Sequence, residues 1–181
     1  MLKDIEVSVA EIDAGRFVLR PLRKSDEGPI GFHAADERVA RMTSAIPHPY
    51  PPGAAEAYVA RAMKARSDGD EVVWAMDNTA NGGSELMGVI SLKTMDRNQA
   101  EVGYWVAPSH WNTGVASAAV KALVKANPLK NETYFAQVFQ ENAASARVLT
   151  NCGFAYLGDA ETFCVARNAR VPIWTYSRRL D

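Results

Sequence analysis

The sequence predicts a mixed α/β fold in which one sheet carries helices on its faces. Short β-branched and aromatic runs are interspersed with segments whose apolar residues recur at helical spacing. Their order is one strand, helices, three strands, a helix, a strand, a helix and two strands. This order lacks the regular alternation of a doubly wound parallel fold, so a mixed sheet is expected.

The first part of the chain predicts one strand and two short helices. Residues 1–15 are weakly patterned, and residues 16–22 form a β-rich run closed by a proline, which is typical of a strand. Gly28 and Pro29 interrupt the helical pattern that follows. Two short helices are therefore expected in place of one long helix, the second over residues 36–42.

A proline-rich segment separates these helices from the next elements. Four prolines within residues 46–53 remove backbone donors and fix φ, so a stiff exposed loop is expected. Apolar residues at helical spacing over 55–62 indicate an amphipathic helix that ends near Gly69. Residues 71–76 and 86–92 are predicted strands, joined across an Asn-Gly-Gly turn that favours a hairpin.

The second half of the chain predicts four further strands and two helices. One helix has its apolar face over residues 116–124 and ends before Pro128. The other begins at Asn142, a natural N-cap, and ends before Gly153. The strands are β-branched or aromatic and cover residues 101–107, 133–139, 155–165 and 171–178.

Composition argues against several classes of protein. Lys and Arg number 20 against 21 Asp and Glu, so there is no basic excess of the kind that nucleic-acid and membrane-surface proteins show. A small molecule or a peptide is the expected partner. Cys152 and Cys164 cannot form a disulfide scaffold, and His33, His48 and His110 are scattered, so no metal site is predicted.

Length indicates one domain over residues 1–181, and the lack of a disulfide scaffold indicates a reducing compartment. The N-terminus lacks the apolar core of a signal peptide, and nowhere do about eighteen apolar residues run together. The expected location is the cytoplasm. The sequence leaves open whether the protein is a monomer or a homodimer.

The strand over 101–107 leads through a polar turn into an alanine-rich helix. A helix start leaves backbone N–H groups unpaired where the helix dipole is positive, so it can seat a phosphate or pyrophosphate. An ordinary turn before a helix is the alternative. The candidate residues share this turn and the first helical turn, and are Asn112, Thr113, Gly114, Val115, Ala116 and Ser117.

Four stretches, in this order along the chain, resemble the GNAT acetyltransferase superfamily, and within it the ribosomal-protein N-terminal acetyltransferases of the RimJ/RimL type. They are FVLRPL at 17–22, EVGYWVA at 101–107, WNTGVA at 111–116 and ENAASARVLTNCGF at 141–154. The resemblance implies the GNAT fold, with a motif core over about residues 85–156. That fold is a mixed, mostly antiparallel twisted sheet of about seven strands flanked by helices, with a splayed strand pair around the acetyl-CoA site.

The resemblance also implies how acetyl-CoA, a cosubstrate used without a metal, is held. Backbone N–H groups of residues 112–117 would bind its pyrophosphate, although Trp111 stands where the family usually has Arg or Gln. Backbone groups of Trp105, Val106 and Ala107 would pair with the pantetheine arm, and the Val106 N–H would reach the thioester carbonyl. Asn142 would touch the coenzyme, or serve only as an N-cap.

The reaction implied is direct attack of a neutral amine on the acetyl thioester. Glu101 is the candidate base because strand alternation places it on the face of Trp105, although a merely solvated carboxylate is the alternative. Leu149 stands where many GNAT enzymes carry a tyrosine, so Ser145 is the candidate proton donor, or only packs within its helix.

The acceptor is the least determined part of the sequence-based hypothesis. The resemblance implies that the proline-rich loop faces the substrate, so His48 and Tyr50 are candidate substrate-binding residues, or have only a structural role. Arg38 and Arg41 can face an acidic peptide, or form a solvated helix face. The preferred acceptor is a protein or peptide N-terminal amine. A small amine, such as a polyamine, amino acid or antibiotic, is one alternative. A non-catalytic domain that senses acyl-CoA is the other.

Overall fold

The computed structural model describes residues 10–181, which form one sheet of eight strands and five α-helices. The strands are β1 (Ile12–Asp13), β2 (Val18–Pro21), β3 (Glu71–Asp77), β4 (Gly88–Met95), β5 (Gln99–Val106), β6 (Thr133–Phe139), β7 (Ala155–Cys164) and β8 (Ala169–Arg179). The helices are α1 (Glu27–Ala34), α2 (Glu37–Ala40), α3 (Ala54–Asp68), α4 (Val115–Ala126) and α5 (Ala143–Asn151).

The strand order across the sheet is β1-β2-β3-β4-β5-β6-β8-β7. All neighbouring strands run antiparallel except β5 and β6, which are parallel. The mixed, mostly antiparallel sheet is therefore confirmed, with eight strands where about seven were expected. The additional strand, β1, has only two residues and so no alternation that a sequence could display; residues 1–9 of the same predicted lead-in lie outside the described residues.

Two apolar layers cover the two faces of the sheet. One face packs against α4 and α5 around Trp74, Leu123 and Leu149, which are fully buried. The opposite face packs against α1 and α3, where Ile30 and Val59 are buried. Because side chains alternate along a strand, the central strands β3 and β4 contribute buried residues to both cores. Within residues 10–181, every helix falls short of the length and hydropathy that a membrane crossing requires.

Two short helices, α1 and α2, stand where two were expected, but the break between them lies elsewhere. Helix α1 runs through Gly28 and Pro29 without interruption. Pro29 lies in the first turn, where a backbone N–H has no intrahelical partner to lose. The chain leaves helical geometry at Asp36 instead, whose carboxylate accepts the Arg38 N–H at 2.9 Å and caps α2.

A buried ion cluster ties β2, β3 and the start of α1 together. The Arg20 guanidinium lies 2.7 Å from a carboxylate oxygen of Asp77 and 2.7 Å from one of Asp26. All three side chains are almost fully buried. Because buried charges are costly unless they are paired, each of the three depends on its partners.

Candidate functional site

Strands β5 and β6 separate partway along their length. They pair from Gln99 with Thr133 to Val102 with Ala136, and no further pair forms although β5 continues to Val106. The splayed strand pair that the resemblance implied is thus present. The last four residues of β5 have a partner strand, β4, on one side only.

The alternation of β5 decides which backbone groups face this gap. The Ala107 N–H donates to the Met87 carbonyl at 2.8 Å, on the β4 side. Neighbouring residues of a strand direct their N–H groups to opposite sides, so the Val106 N–H faces the gap. The Val106 carbonyl accepts the Trp111 indole N–H at 2.7 Å. Of the three residues expected to pair with a ligand, Val106 offers its N–H to the gap, whereas the Ala107 N–H is already engaged.

Helix α4 begins next to this gap with unpaired backbone donors. Gly114 is its N-cap, with φ of 80°, and Asn112 has φ of 60°, so both residues adopt the left-handed conformation. The first helical bond runs from the Ala118 N–H to the Gly114 carbonyl at 3.0 Å. The N–H groups of Val115, Ala116 and Ser117 therefore precede the bonded ladder and can bind an anion.

A cleft of about 710 Å³ joins the gap to the start of α4. Its walls come from α2, β5, the end of β6 and the first turns of α4 and α5. The expected site residues that line it are Trp105, Val106, Asn112, Gly114, Val115, Ala116, Ser117, Asn142 and Ser145. Those that do not line it are His48, Tyr50, Glu101, Ala107 and Thr113.

Asn142 and Ser145 stand at the first turn of α5. The Asn142 side-chain oxygen accepts the Ser145 backbone N–H at 3.2 Å, which confirms Asn142 as an N-cap. The Ser145 hydroxyl lies 2.6 Å from the phenolic oxygen of Tyr104 on β5. Burial raises the pKa of Tyr104 to about 12 despite the hydrogen bond to Ser145, so the phenol is protonated at neutral pH.

Glu101 lies on the opposite face of β5, together with Gly103 and Trp105, as alternation predicts. It is in register with Lys93 on β4, which is in register with Glu71 on β3. Burial raises the pKa of Glu71, and the charge of Glu101 adds to this effect while Lys93 opposes it. Glu71, Lys93 and Glu101 therefore form a row of charged side chains across β3, β4 and β5. This row lies on the same face of the sheet as Trp105.

Three residues near the site had no signal in the sequence. Tyr104 lies on the face of β5 that packs against α4 and α5, and only the docking of α5 brings it to Ser145. His33 on α1 lies near Trp105, with ring centroids 6.4 Å apart and ring planes tilted by 59°. Burial, aided by the charge of His110, lowers the pKa of His33. Arg16 donates to the Thr113 carbonyl at 2.8 Å, which places a cation beside the α4 start although 97 residues separate the two.

The cleft has a modest positive charge. Among its lining side chains within residues 10–181, Arg38 and Arg147 are cationic and Glu141 is the only carboxylate. Glu141 forms an ion pair with Arg167, and Arg38 forms one with Asp36 at 2.7 Å. Within the same described range, no group of three or more His, Cys, Asp or Glu side chains is arranged to hold a metal ion.

The gap in the mixed sheet opens onto the unpaired start of α4, and this arrangement can accommodate an extended ligand with an anionic group. The chain belongs to the acetyltransferase (GNAT) family, whose domain model matches residues 16–155. A curated relative, the uncharacterized N-acetyltransferase YoaA of Bacillus subtilis (strain 168), is 35% identical over 74 residues, 39% of this chain. The match spans only 42% of that relative.

Solved acetyltransferase structures share the fold over nearly their full length. RimL, a ribosomal L7/L12 alpha-N-protein acetyltransferase in complex with coenzyme A, superposes with a TM-score of 0.78 at 16% identity, covering 95% of this chain and 99% of its own. Spermidine N-acetyltransferase from Vibrio cholerae, in complex with CoA and spermine, gives 0.74 at 18%, covering 91% and 95%. At such identities the likeness establishes the fold alone.

Proposed function

We propose that this protein is an acetyl-CoA-dependent N-acetyltransferase, one domain over residues 1–181, that transfers acetyl to a primary amine by direct attack. The observation that carries the proposal is the position of the Val106 N–H, which faces the β5–β6 gap in the cleft that leads to the α4 start. A donor placed there can stabilise the oxygen of a thioester as negative charge develops on it.

Each end of the cleft has an assigned role in this proposal. Backbone N–H groups of Asn112 and residues 114–117 hold the pyrophosphate, and Trp105 and Val106 flank the pantetheine arm, with Asn142 at its side. Glu101 acts as base through water, and Ser145 acts at the departing thiolate. An α-amine has a pKa of about 8, so a modest base suffices at neutral pH.

The proposed acceptor is a protein or peptide N-terminal amine. The ordered motifs resemble the RimJ/RimL type, and the lining charges support this choice over a polyamine. A polycation needs carboxylates, but among residues 10–181 the single carboxylate in the cleft lining, Glu141, is paired with Arg167. A small amine is the second candidate acceptor, because a spermidine N-acetyltransferase shares the fold. An activity assay distinguishes the two candidates.

Thermal melting with acetyl-CoA, coenzyme A and adenosine tests the cosubstrate. A ligand at one hundred times its dissociation constant adds about 2.7 kcal/mol, a shift of several degrees for a domain of this size. We expect this shift with acetyl-CoA and little with adenosine. Thiol release is then measured with free N-terminal peptides, N-terminally blocked lysine peptides and spermidine. Binding without release on any amine would favour the acyl-CoA sensor.

A further inference from the structure

A pair of hydroxyl groups forms part of the cleft wall between β5 and α5. The phenolic oxygen of Tyr104 is 2.6 Å from Ser145 Oγ and 3.4 Å from the Ser145 carbonyl oxygen. Both side chains line the cleft. Tyr104 lies beyond Val102, the last β5 residue paired with β6, so the pair stands where the two strands have separated.

The chemistry of the two hydroxyls sets the direction of their hydrogen bond. A phenol, with a pKa of about 10 in water, is a stronger acid than an aliphatic alcohol, so Tyr104 donates and Ser145 Oγ accepts. The hydrogen of Ser145 is then available to a group in the cleft, and Asn142 fixes the Ser145 backbone at the same time.

We infer that Tyr104 is a positioning residue that aims the Ser145 hydroxyl at the sulfur of the departing thiolate, an inference that rests on the proposed function. The amine nitrogen forms a bond to the acetyl carbon, and the bond between that carbon and sulfur breaks. The electron pair of the broken carbon–sulfur bond stays on sulfur, which leaves as the thiolate. Ser145 donates a hydrogen bond to that sulfur, and both hydroxyls keep their protons. Water protonates the thiolate, and the amine proton leaves to Glu101 or to water.

A double-mutant cycle with Tyr104→Phe and Ser145→Ala tests whether Tyr104 acts through Ser145. We expect each single change to lower kcat about tenfold with KM for acetyl-CoA within about twofold, because the lost contact forms late in the reaction. The double variant is expected to match Ser145→Ala. Tyr134→Phe is the matched control, since it removes another buried phenol, one that donates to the Leu123 carbonyl at 3.2 Å outside the cleft.

Titration of bound coenzyme A gives a second readout that needs no turnover. Ultraviolet absorbance of the thiolate, corrected for the protein alone, is expected to show a thiol pKa below the free value of about 8.5, because a donor favours the charged form. Tyr104→Phe and Ser145→Ala should both raise this thiol pKa, and Tyr134→Phe should not.

Additive losses of kcat in the double-mutant cycle, or a Tyr104→Phe variant that behaves like Tyr134→Phe, would overturn the inference. A wild-type protein inert toward every amine would contradict the proposed function instead, and the titration would still decide the role of the pair.

Discussion

Gly114 combines two constraints at one position, a left-handed backbone and contact with the cleft. A glutamate at position 114 would put bulk and negative charge at the proposed pyrophosphate site and would strain the backbone. We expect Gly114→Glu to abolish acetyl-CoA binding, measured by calorimetry.

Gly53 supplies the matched control for this change. It is the N-cap of α3 with φ of 79° and does not line the cleft, so Gly53→Glu carries the same backbone strain of about 1–2 kcal/mol. Gly53→Glu should melt earlier yet bind acetyl-CoA normally. Retained binding in Gly114→Glu would remove the α4 start from the proposed site.

Glu101 can be tested against Glu71, its neighbour in the same charged row. Glu101→Gln should leave acetyl-CoA affinity intact and lower turnover most at low pH, where little of the amine is neutral and help from a base matters most. Glu71→Gln removes a carboxylate from the same face two strands away, and should leave the pH profile unchanged. If the profile of Glu101→Gln overlays that of the parent, Glu101 is not the base.

Backbone-level features of the site could be predicted from the sequence, whereas long-range partners could not. Gly114 and Asn112 were recognisable because few residues tolerate positive φ, and Asn142 because a short polar side chain favours an N-cap. The Tyr104–Ser145 contact joins residues 41 positions apart on two elements. No local pattern encodes it, since it depends on how α5 docks on the sheet.

The cluster that joins β2, β3 and α1 should dominate the acid response of the fold. Burial alone would raise the pKa of Asp77, but hydrogen bonds from Thr79 and Arg20 lower it overall. A depressed pKa in the folded state stabilises the protein above the unfolded value of about 3.9, and this contribution is lost as pH falls through the folded value. We therefore expect the free energy of unfolding, measured by urea titration, to fall below about pH 4.

Replacing Arg20 should expose this dependence. Arg20→Met leaves buried carboxylates without their cation and is expected to cost about 3–5 kcal/mol at pH 7, with a smaller further loss on acidification. Arg38→Met breaks an exposed pair with Asp36, which solvent screens, and should leave the free energy of unfolding nearly unchanged. Equal losses of unfolding free energy in Arg20→Met and Arg38→Met would show that burial of the cluster does not contribute to stability.

Most elements followed from periodicity, and the exceptions have local causes. The strands over 71–76 and 133–139 and the helices after Gly53 and Gly114 matched because their patterns are long. The break near Pro29 was placed wrongly because a proline in the first helical turn costs nothing, and the sequence alone does not show where that turn begins.

At the scale of the whole molecule, the lining charges predict how acceptors are selected. With Arg38 and Arg147 in the cleft, peptides with an acidic residue after the N-terminal one should give a higher kcat/KM than lysine-containing analogues. The preference should shrink with added salt, because exposed charges are screened within about 8 Å at physiological ionic strength.

Two variants, one on α2 and one at its C-cap, test this selection. Arg38→Glu should reverse the preference, because Arg38 lines the cleft. Arg41→Glu changes the charge equally on a residue that pairs with Glu37 outside the lining, and should not reverse it. If the preference for acidic peptides is unchanged in both variants, groups other than Arg38 select the acceptor.

The early end of the β5–β6 pairing also has a mechanical consequence. The sheet consists of two plates, β1–β5 and β6–β8, which share a seam of four residue pairs between 99–102 and 133–136. A cosubstrate that binds in the gap as we propose would bond to both plates beyond that seam and lengthen it, and so would be a structural member as well as a reactant. Resistance to being pulled apart across the seam would then be a property of the loaded protein, and each release of product would return the molecule to its weaker form.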